Sequence, residues 1–349
     1  MLNLISATNL LGISVLNGDS LMSVRVAFYN FENLFDVYDD TATLDDDFTP
    51  SGLKGWSKKK FDNKCKNLYK TILAIGDDDP VAVLCVCEVE NKYCLRYLLN
   101  NTPLKKLNYK FIHYDSPDAR GIDVAIIYRP DAFIPIIHYP IKVDIPDSKT
   151  TRDVLYAQGI IPSGDTLHVF ACHFPSRLGG QSASAYKRIF VANLIRNYLD
   201  VIVEENPFAN VIVLGDMNDD PSDDCMKILD DSVFFNLSKN LLKDERIGTL
   251  KHGAFWNVFD QIVVSRNLLQ SDEIFVKEKR AFVRKLPFLF VEDEKYGGVK
   301  LFRTFSGPKY LGGYSDHLPV YVDVICRKER VDDNLYVADN VRYARVELV

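Results

Sequence analysis

Residues 211–223 read Val-Ile-Val-Leu-Gly-Asp-Met-Asn-Asp-Asp-Pro-Ser-Asp. The run Val211 to Leu214 is apolar at every position and rich in β-branched side chains, which predicts a strand buried on both faces. Gly215 opens the side-chain wall where a ligand or another backbone can approach closely. Asp216 and Asn218 stand at i and i+2, so in extended chain they point to one side. Asp220 before Pro221 predicts an N-cap and first helical residue, with Asp223 and Asp224 in the first turn. A polar turn accounts for Asp219, Asp220, Asp223 and Asp224. Asp216 and Asn218 are the candidates for chemistry, delivered by a strand to its C-terminal end.

The rest of the chain repeats this pattern of core strand followed by polar exit. Val24 to Asn30 alternates as a strand and leads into Asn30-Phe-Glu-Asn-Leu-Phe-Asp36 and an acidic loop. Ser57 caps a predicted helix over 58–75, with Phe61, Cys65, Leu68 and Ile72 on one face and Gly76 at its end. Val81 to Cys87 is a second wholly apolar strand, and Glu88 closes it. A short helix is expected over 92–99 and a strand over 121–129. A hairpin follows over 155–161 and 166–172, exiting into His173-Phe-Pro-Ser-Arg177. A long helix is predicted over 184–205, ended by Asn206-Pro207. Phe259 to Ser265 is a strand carrying Asp260, residues 266–310 show no period, and Ser315-Asp-His-Leu-Pro319 precedes a last strand over 320–326. Strands outnumber helices and alternate with them, which implies packed sheets flanked by helices. No repeat or linker interrupts residues 22–349, so one domain is expected there. Residues 1–21 carry no lysine or arginine and match a signal peptide poorly. An extension before the domain, disordered in part, accounts for them equally well, and a cytoplasmic location is expected.

Composition excludes some functions. A net charge of -6 supplies no global positive field toward nucleic acid or anionic lipid, so such binding would need a local patch. Seven cysteines without zinc spacing, three of them (Cys85, Cys87, Cys172) inside apolar strands, read as buried thiols. No stretch reaches the ~18 to 20 apolar residues of a membrane span. Lysine and arginine gather in two places: Lys58 to Lys60 with Lys64 and Lys66, and Arg177 with Lys187 and Arg188. Solvated helix faces account for both clusters. The second follows His173, so it is the candidate for holding a phosphate backbone.

Nine polar residues stand at strand exits: Asn30, Glu32, Glu88, His173, Asp216, Asn218, Asp260, Asp316 and His317. A strand-end aspartate is usually a turn former, and a lone histidine is more often structural than catalytic. Sheets with common edges would bring all nine to one cleft. Oxygen ligands such as Asn30, Glu88 and Asp316 suit magnesium or manganese and not zinc. Carboxylates, two histidines and a hard cation, without a serine or thiol nucleophile, fit hydrolysis of a phosphate ester by activated water.

Asn30 with Glu32, Glu88, His173, Gly215-Asp216-Met217-Asn218, Asp260 and Ser315-Asp316-His317 together resemble the endonuclease/exonuclease/phosphatase superfamily over residues 24–326. The Phe31 to Asp36 and His173 to Arg177 runs resemble a bacterial group of that superfamily with little assigned specificity. The resemblance implies a DNase I-like α+β fold, a four-layer sandwich of two mixed β-sheets flanked by helices. It implies that Glu88 binds Mg2+ or Mn2+ with Asn30, Glu32 and Asp316 nearby, Glu32 standing where some members have aspartate. Asp216 would orient or deprotonate the water, and Asn218 would hold it or a phosphate oxygen. His317, fixed by Asp260, would contact the phosphate, and His173 would donate to a non-bridging oxygen or assist the leaving group. Arg177 and Arg120 are candidate phosphate clamps, because a guanidinium matches phosphate geometry. The expected activity is a phosphodiesterase or nuclease acting as a monomer, without stable membrane insertion. A lipid phosphoesterase and a catalytically idle binding protein are the alternatives. Phe174, Trp256 and Tyr310 are candidates for stacking on a base or covering a lipid head group.

Overall fold

The computed structural model describes residues 21–327, apart from residues 147, 149 and 244–247. The expectations for residues 1–20 and for the tail after 327 lie outside the described residues. The first sheet has seven strands: β1 (Leu21–Leu34), β2 (Val83–Val89), β3 (Lys110–His113), β4 (Asp123–Tyr128) and three late ones. The second has six: β5 (Ile134–Ile141), β6 (Val154–Ile160), β7 (Thr166–His173), β8 (Asn210–Asp216), β9 (Phe234–Asn236) and β10 (Asp260–Ser265). The late strands of the first sheet are β11 (Ile274–Val276), β12 (Phe282–Val283) and β13 (Val320–Arg327). Sheet order is β11-β13-β1-β2-β4-β3, with β12 also on β13, and β5-β6-β7-β8-β10-β9. Both sheets are mixed: β1 runs parallel to β2 and β7 to β8, and the other pairs are antiparallel.

Alternation along the central strands assigns the layers. Val24, Val26 and Phe28 of β1 and Cys85 and Cys87 of β2 meet Val169, Ala171, Ile212, Leu214 and Ile262 of the second sheet in one apolar cluster. The opposite residues of β1 and β2, such as Ala27, Tyr29, Leu84 and Val86, pack under α1 (Lys58–Gly76) and α2 (Lys92–Asn100). Phe170, Val211, Val213 and Val263 pack under α3 (Gln181–Glu205) and the short α4 (Asp224–Ile228). The result is the four-layer α/β/β/α sandwich. No helix among the described residues is long and apolar enough to cross a membrane.

Several local expectations give way to the structure. The helix placed at Pro221 begins at Asp224, with Asp223 as its N-cap, because the Asp220 carboxylate is taken by the Val258 N–H and the Asn257 amide. Gly215 makes room for backbone: a Cβ there would stand 2.2 Å from the Cys172 carbonyl oxygen on β7. Residues 266–310 do hold β11 and β12, too short to register as periods, along with two-stranded ribbons. The edge strand β5 escaped notice because Pro135 and Pro140 interrupt it and most of its side chains are exposed. Proline is tolerated there because an edge strand has one unpaired side.

Candidate active site

Strand register builds the centre. His173, Asp216 and Asp260 are successive partners across β7, β8 and β10, so they form one rung at the end of the second sheet. They continue the rows Val169–Ala171, Ile212–Leu214 and Ile262–Val264 that face the first sheet, and therefore point between the sheets. Asn30 continues the inward row of β1 in the same way, and its Nδ2 donates to Asp216 Oδ2 across the gap at 3.1 Å.

Glu88 arrives by another route. Strict alternation would send it toward α1 with Leu84 and Val86. Instead the β2–β4 register shifts between Cys87 and Val89, and Glu88 takes a φ of 58°. That bulge leaves Glu88 Oε1 3.9 Å from His173 Nε2, while its other oxygen accepts the Asn33 N–H at 2.9 Å. Asn218 is also left-handed, so it does not share the extended geometry expected with Asp216. Its amide donates to the Phe174 carbonyl and its backbone N–H to Asp216 Oδ1, both at 3.0 Å.

The two histidines are driven toward opposite charge. His317 Nδ1 lies 2.8 Å from Asp260 Oδ2, and its Nε2 lies 3.7 Å from Asp216 Oδ2. Burial opposes charge on that ring, but Asp260 and Asp216 outweigh it and hold its pKa well above the ordinary histidine value. His173 Nε2 is 3.6 Å from Asp216 Oδ2. Burial, reinforced by Arg152, Arg120 and His317, pushes His173 well below the ordinary value. At neutral pH the site thus pairs an imidazolium with a neutral imidazole. Burial pushes the Asp216 carboxyl up to about 6, with His317 pulling it down and Asp260 and Glu88 adding to the rise. That value places a proton acceptor near working pH.

Glu32 sits apart from the metal role expected of it. Its carboxylate accepts the Thr304 N–H at 2.6 Å and Arg303 Nε at 3.1 Å, with Lys64 Nζ at 3.8 Å. Burial pushes the Glu32 carboxyl up and the Lys64 ammonium down. Its oxygens hold the segment bearing Arg303, whose Nη2 reaches Asp316 at 2.8 Å. Lys64 belongs to no solvated face: it is buried and donates to Thr304 Oγ1 and the Tyr314 carbonyl. The signal was present in the sequence, since Lys64 falls on the apolar side of α1 with Phe61, Cys65 and Leu68. Arg303 lies in the aperiodic segment and had no local signal.

The second basic cluster divides. Arg177 donates to the Asn218 carbonyl and to Asp219 and Asp223, and lies 3.6 Å from Asp220. Its guanidinium is thus committed to shaping the loop after β8, which leaves it poorly placed to clamp a phosphate. Arg188 is fully buried, with Nε 2.6 Å from Asp219 Oδ2. Asp219 lies in the turn after β8 as expected, and its carboxylate is in addition the internal counter-ion of two arginines. Removing one partner of a buried pair leaves an uncompensated charge, so Arg188→Ala is expected to destabilise the fold by about 3–5 kcal/mol. A chemical melt within about 1 kcal/mol of wild type would rule that out. Arg120 is exposed beside Asp118 at 3.6 Å. Arg152, unnoticed in the sequence, is buried and donates to the His173 and Phe174 carbonyls. Phe174 is core and closed to stacking, whereas Tyr310, edge-on to Phe305, and Trp256, edge-on to Phe290, are half-buried.

The donor set fits a hard divalent cation. Glu88, Asp216 and Asp316 offer oxygens only, no thiol lies in the set, and the Asp216 carboxyl is raised first by burial and then by the neighbouring Asp260 and Glu88 charges, which a cation would offset. Asn30 is less available than expected, because its Oδ1 accepts the Glu32 N–H at 2.8 Å and its Nδ2 holds Asp216.

A four-layer sandwich with acidic and histidine side chains meeting between its sheets defines a phosphoesterase, a hydrolase of phosphate ester bonds. The sequence profile of the Endonuclease/Exonuclease/phosphatase family matches residues 25–326, and the chain belongs to that family. A sequence search of curated proteins finds no match. Solved structures share the fold. D. rerio TDP2 complexed with a single-strand DNA product is 16% identical at a TM-score of 0.54, covering 86% of this chain and 98% of its own. The human nocturnin catalytic domain with bound sulfate is 17% identical at 0.53, covering 88% and 97%. A Bacteroides thetaiotaomicron mannosyl-6-phosphatase is 17% identical at 0.54, covering 86% and 99%.

Proposed function

We propose that this chain cleaves phosphodiesters, nucleic acid foremost, by attack of water with Mg2+ or Mn2+ bound. The observation that carries the reading is the His173–Asp216–Asp260 rung faced by Glu88 and His317, with the two imidazoles held in opposite protonation states. Glu88 and Asp316 would hold the cation, which when bound polarises a phosphoryl oxygen and lowers the pKa of water. Asp216, fixed by the Asn30 amide and the Asn218 N–H, orients the water and accepts its proton. His317, kept cationic by Asp260, stabilises charge growing on the phosphoryl oxygens. His173, neutral, donates one hydrogen bond to a non-bridging or leaving oxygen. Arg303 neutralises Asp316 and Glu32 and keeps the acidic wall in place.

The D. rerio neighbour, solved with a single-strand DNA product, supports nucleic acid as the substrate class. The sugar-phosphatase neighbour makes a monoester the outcome to test against. The experiment compares single- and double-stranded DNA and RNA, a soluble phosphoinositide, sphingomyelin and a sugar monophosphate in one magnesium buffer. Cleavage of nucleic acid that weakens steeply with salt is expected, because binding to phosphates releases counterions. Turnover confined to the lipids or the monoester would overturn the nucleic-acid choice. No turnover of any substrate in that buffer, or in the same buffer with manganese in place of magnesium, would overturn the enzymatic reading.

A further inference from the structure

A pocket of about 300 Å³ lies beside the His173 wall of the site, and the reaction just described makes no use of it. Among the described residues its lining includes the cations Arg120, Arg152 and Lys187 with a single carboxylate, Asp118. Asp118 is already shared, since Arg152 Nη1 reaches it at 3.3 Å and Arg120 Nε at 3.6 Å. Among the described residues no carboxylate forms an ion pair with Lys187, although that side chain is half-buried. Among the described residues, three cations against one carboxylate leave a positive excess inside a concavity, on a chain whose net charge is -6. Like charges held together in a partly desolvated pocket repel, and an anion is what relieves that repulsion. Hydroxyls of Thr151 and Ser176 add neutral donors to the lining.

Position ties the pocket to the reaction centre. Arg152 forms part of the pocket and donates to the carbonyls of His173 and Phe174, so one buried side chain joins the pocket to the catalytic strand. Arg120 and Arg152 are near enough for their charge to reach the His173 ring. Leu44 and Leu178 complete the lining as exposed apolar side chains, Leu44 anchored through its N–H on the Ala119 carbonyl. Cations and hydroxyls beside apolar residues match a phosphate attached to a carbon skeleton better than a free inorganic ion.

We propose that this pocket binds a second phosphate group of the substrate, next to the one that is hydrolysed. The proposal rests on the phosphoesterase reading and deepens it: the enzyme selects substrates with two neighbouring phosphates. Arg120 then serves the second phosphate and not the scissile one. The second phosphate can come from a polynucleotide backbone or from a doubly phosphorylated polyol, and the experiment separates these sources.

The test compares kcat/KM for a thymidine dinucleotide with and without a 5′-phosphate, and for an inositol bisphosphate against its monophosphate. Wild type, Lys187→Gln and Arg120→Gln are assayed in the same magnesium buffer. Wild type is expected to favour the member carrying the second phosphate by about tenfold or more, chiefly through KM, in at least one pair; which pair names the source. Each variant should bring that ratio toward one. Arg120 is exposed and Lys187 only half-buried, so melting temperatures should hold and serve as the folding control. An active wild type that shows no preference in either pair overturns the subsite, as does a preference that both variants retain. Should no substrate be turned over, the phosphoesterase reading fails instead, and the pocket is then read by calorimetric titration with pyrophosphate. Binding weakened about tenfold by Lys187→Gln supports the pocket, and equal or absent binding by wild type and variant overturns it.

Discussion

Glu88→Gln is expected to lower turnover by about 10³ or more while the fold melts as wild type does. The side chain is held at the β2 bulge by one hydrogen bond, from the Asn33 N–H, which a glutamine oxygen can also accept, more weakly. What the substitution removes is the negative charge, the feature a divalent cation needs of its ligand. Arg303 offsets Asp316 and three donors surround Glu32, so neither can make up the loss. The measurement is a magnesium and manganese titration of both proteins, with a parallel run in excess EDTA. Undiminished activity in EDTA, or a variant within a few-fold of wild type at saturating metal, would refute the assignment.

His317→Ala is expected to cost ~10² to 10⁴ in kcat, and His173→Ala a loss in the same range. The pH profile distinguishes charge from mere shape at His317. Its folded pKa is raised, so the active imidazolium is present at neutral pH and is lost as pH rises through that raised value. Asp260→Asn removes the carboxylate 2.8 Å away, so the alkaline limb should move to lower pH. An alkaline limb that stays in place in Asp260→Asn would detach His317 from the pH dependence. Near-normal rates in both alanine variants, with unchanged melting curves, would return the histidines to structural roles.

The strands that carry the site were legible because they are continuous apolar runs, and a buried strand writes its burial on both faces. For the same reason the rung of His173, Asp216 and Asp260 could be anticipated as strand exits, though not as register partners. Glu88 was legible as a residue but not as a geometry, since alternation alone would turn it toward the helices. Asp220 and Pro221 made a convincing helix start by local chemistry, and a long-range pair of donors at Asn257 and Val258 overrode it. Arg152, Arg303 and the partners of Glu32 could not be read, because their contacts span up to 273 positions in sequence and no local pattern encodes them. Arg177 and Arg188 looked like surface charge because sequence shows a charge but not the aspartate that folds back onto it.

Eight non-glycine described residues adopt a positive φ, and Glu32, Asn33, Glu88 and Asn218 are four of them, all around the site. Asparagine tolerates that conformation, whereas a glutamate there carries strain of about 1–3 kcal/mol. Glycine would relieve the strain but has no side chain to offer. The strain at Glu32 is offset by its hydrogen bonds to Thr304 and Arg303, but Glu88 accepts only the Asn33 N–H, so selection for stability alone would erode the site at Glu88, replacing it by glycine. A more heat-resistant descendant obtained without an activity screen should be distrusted first at that position.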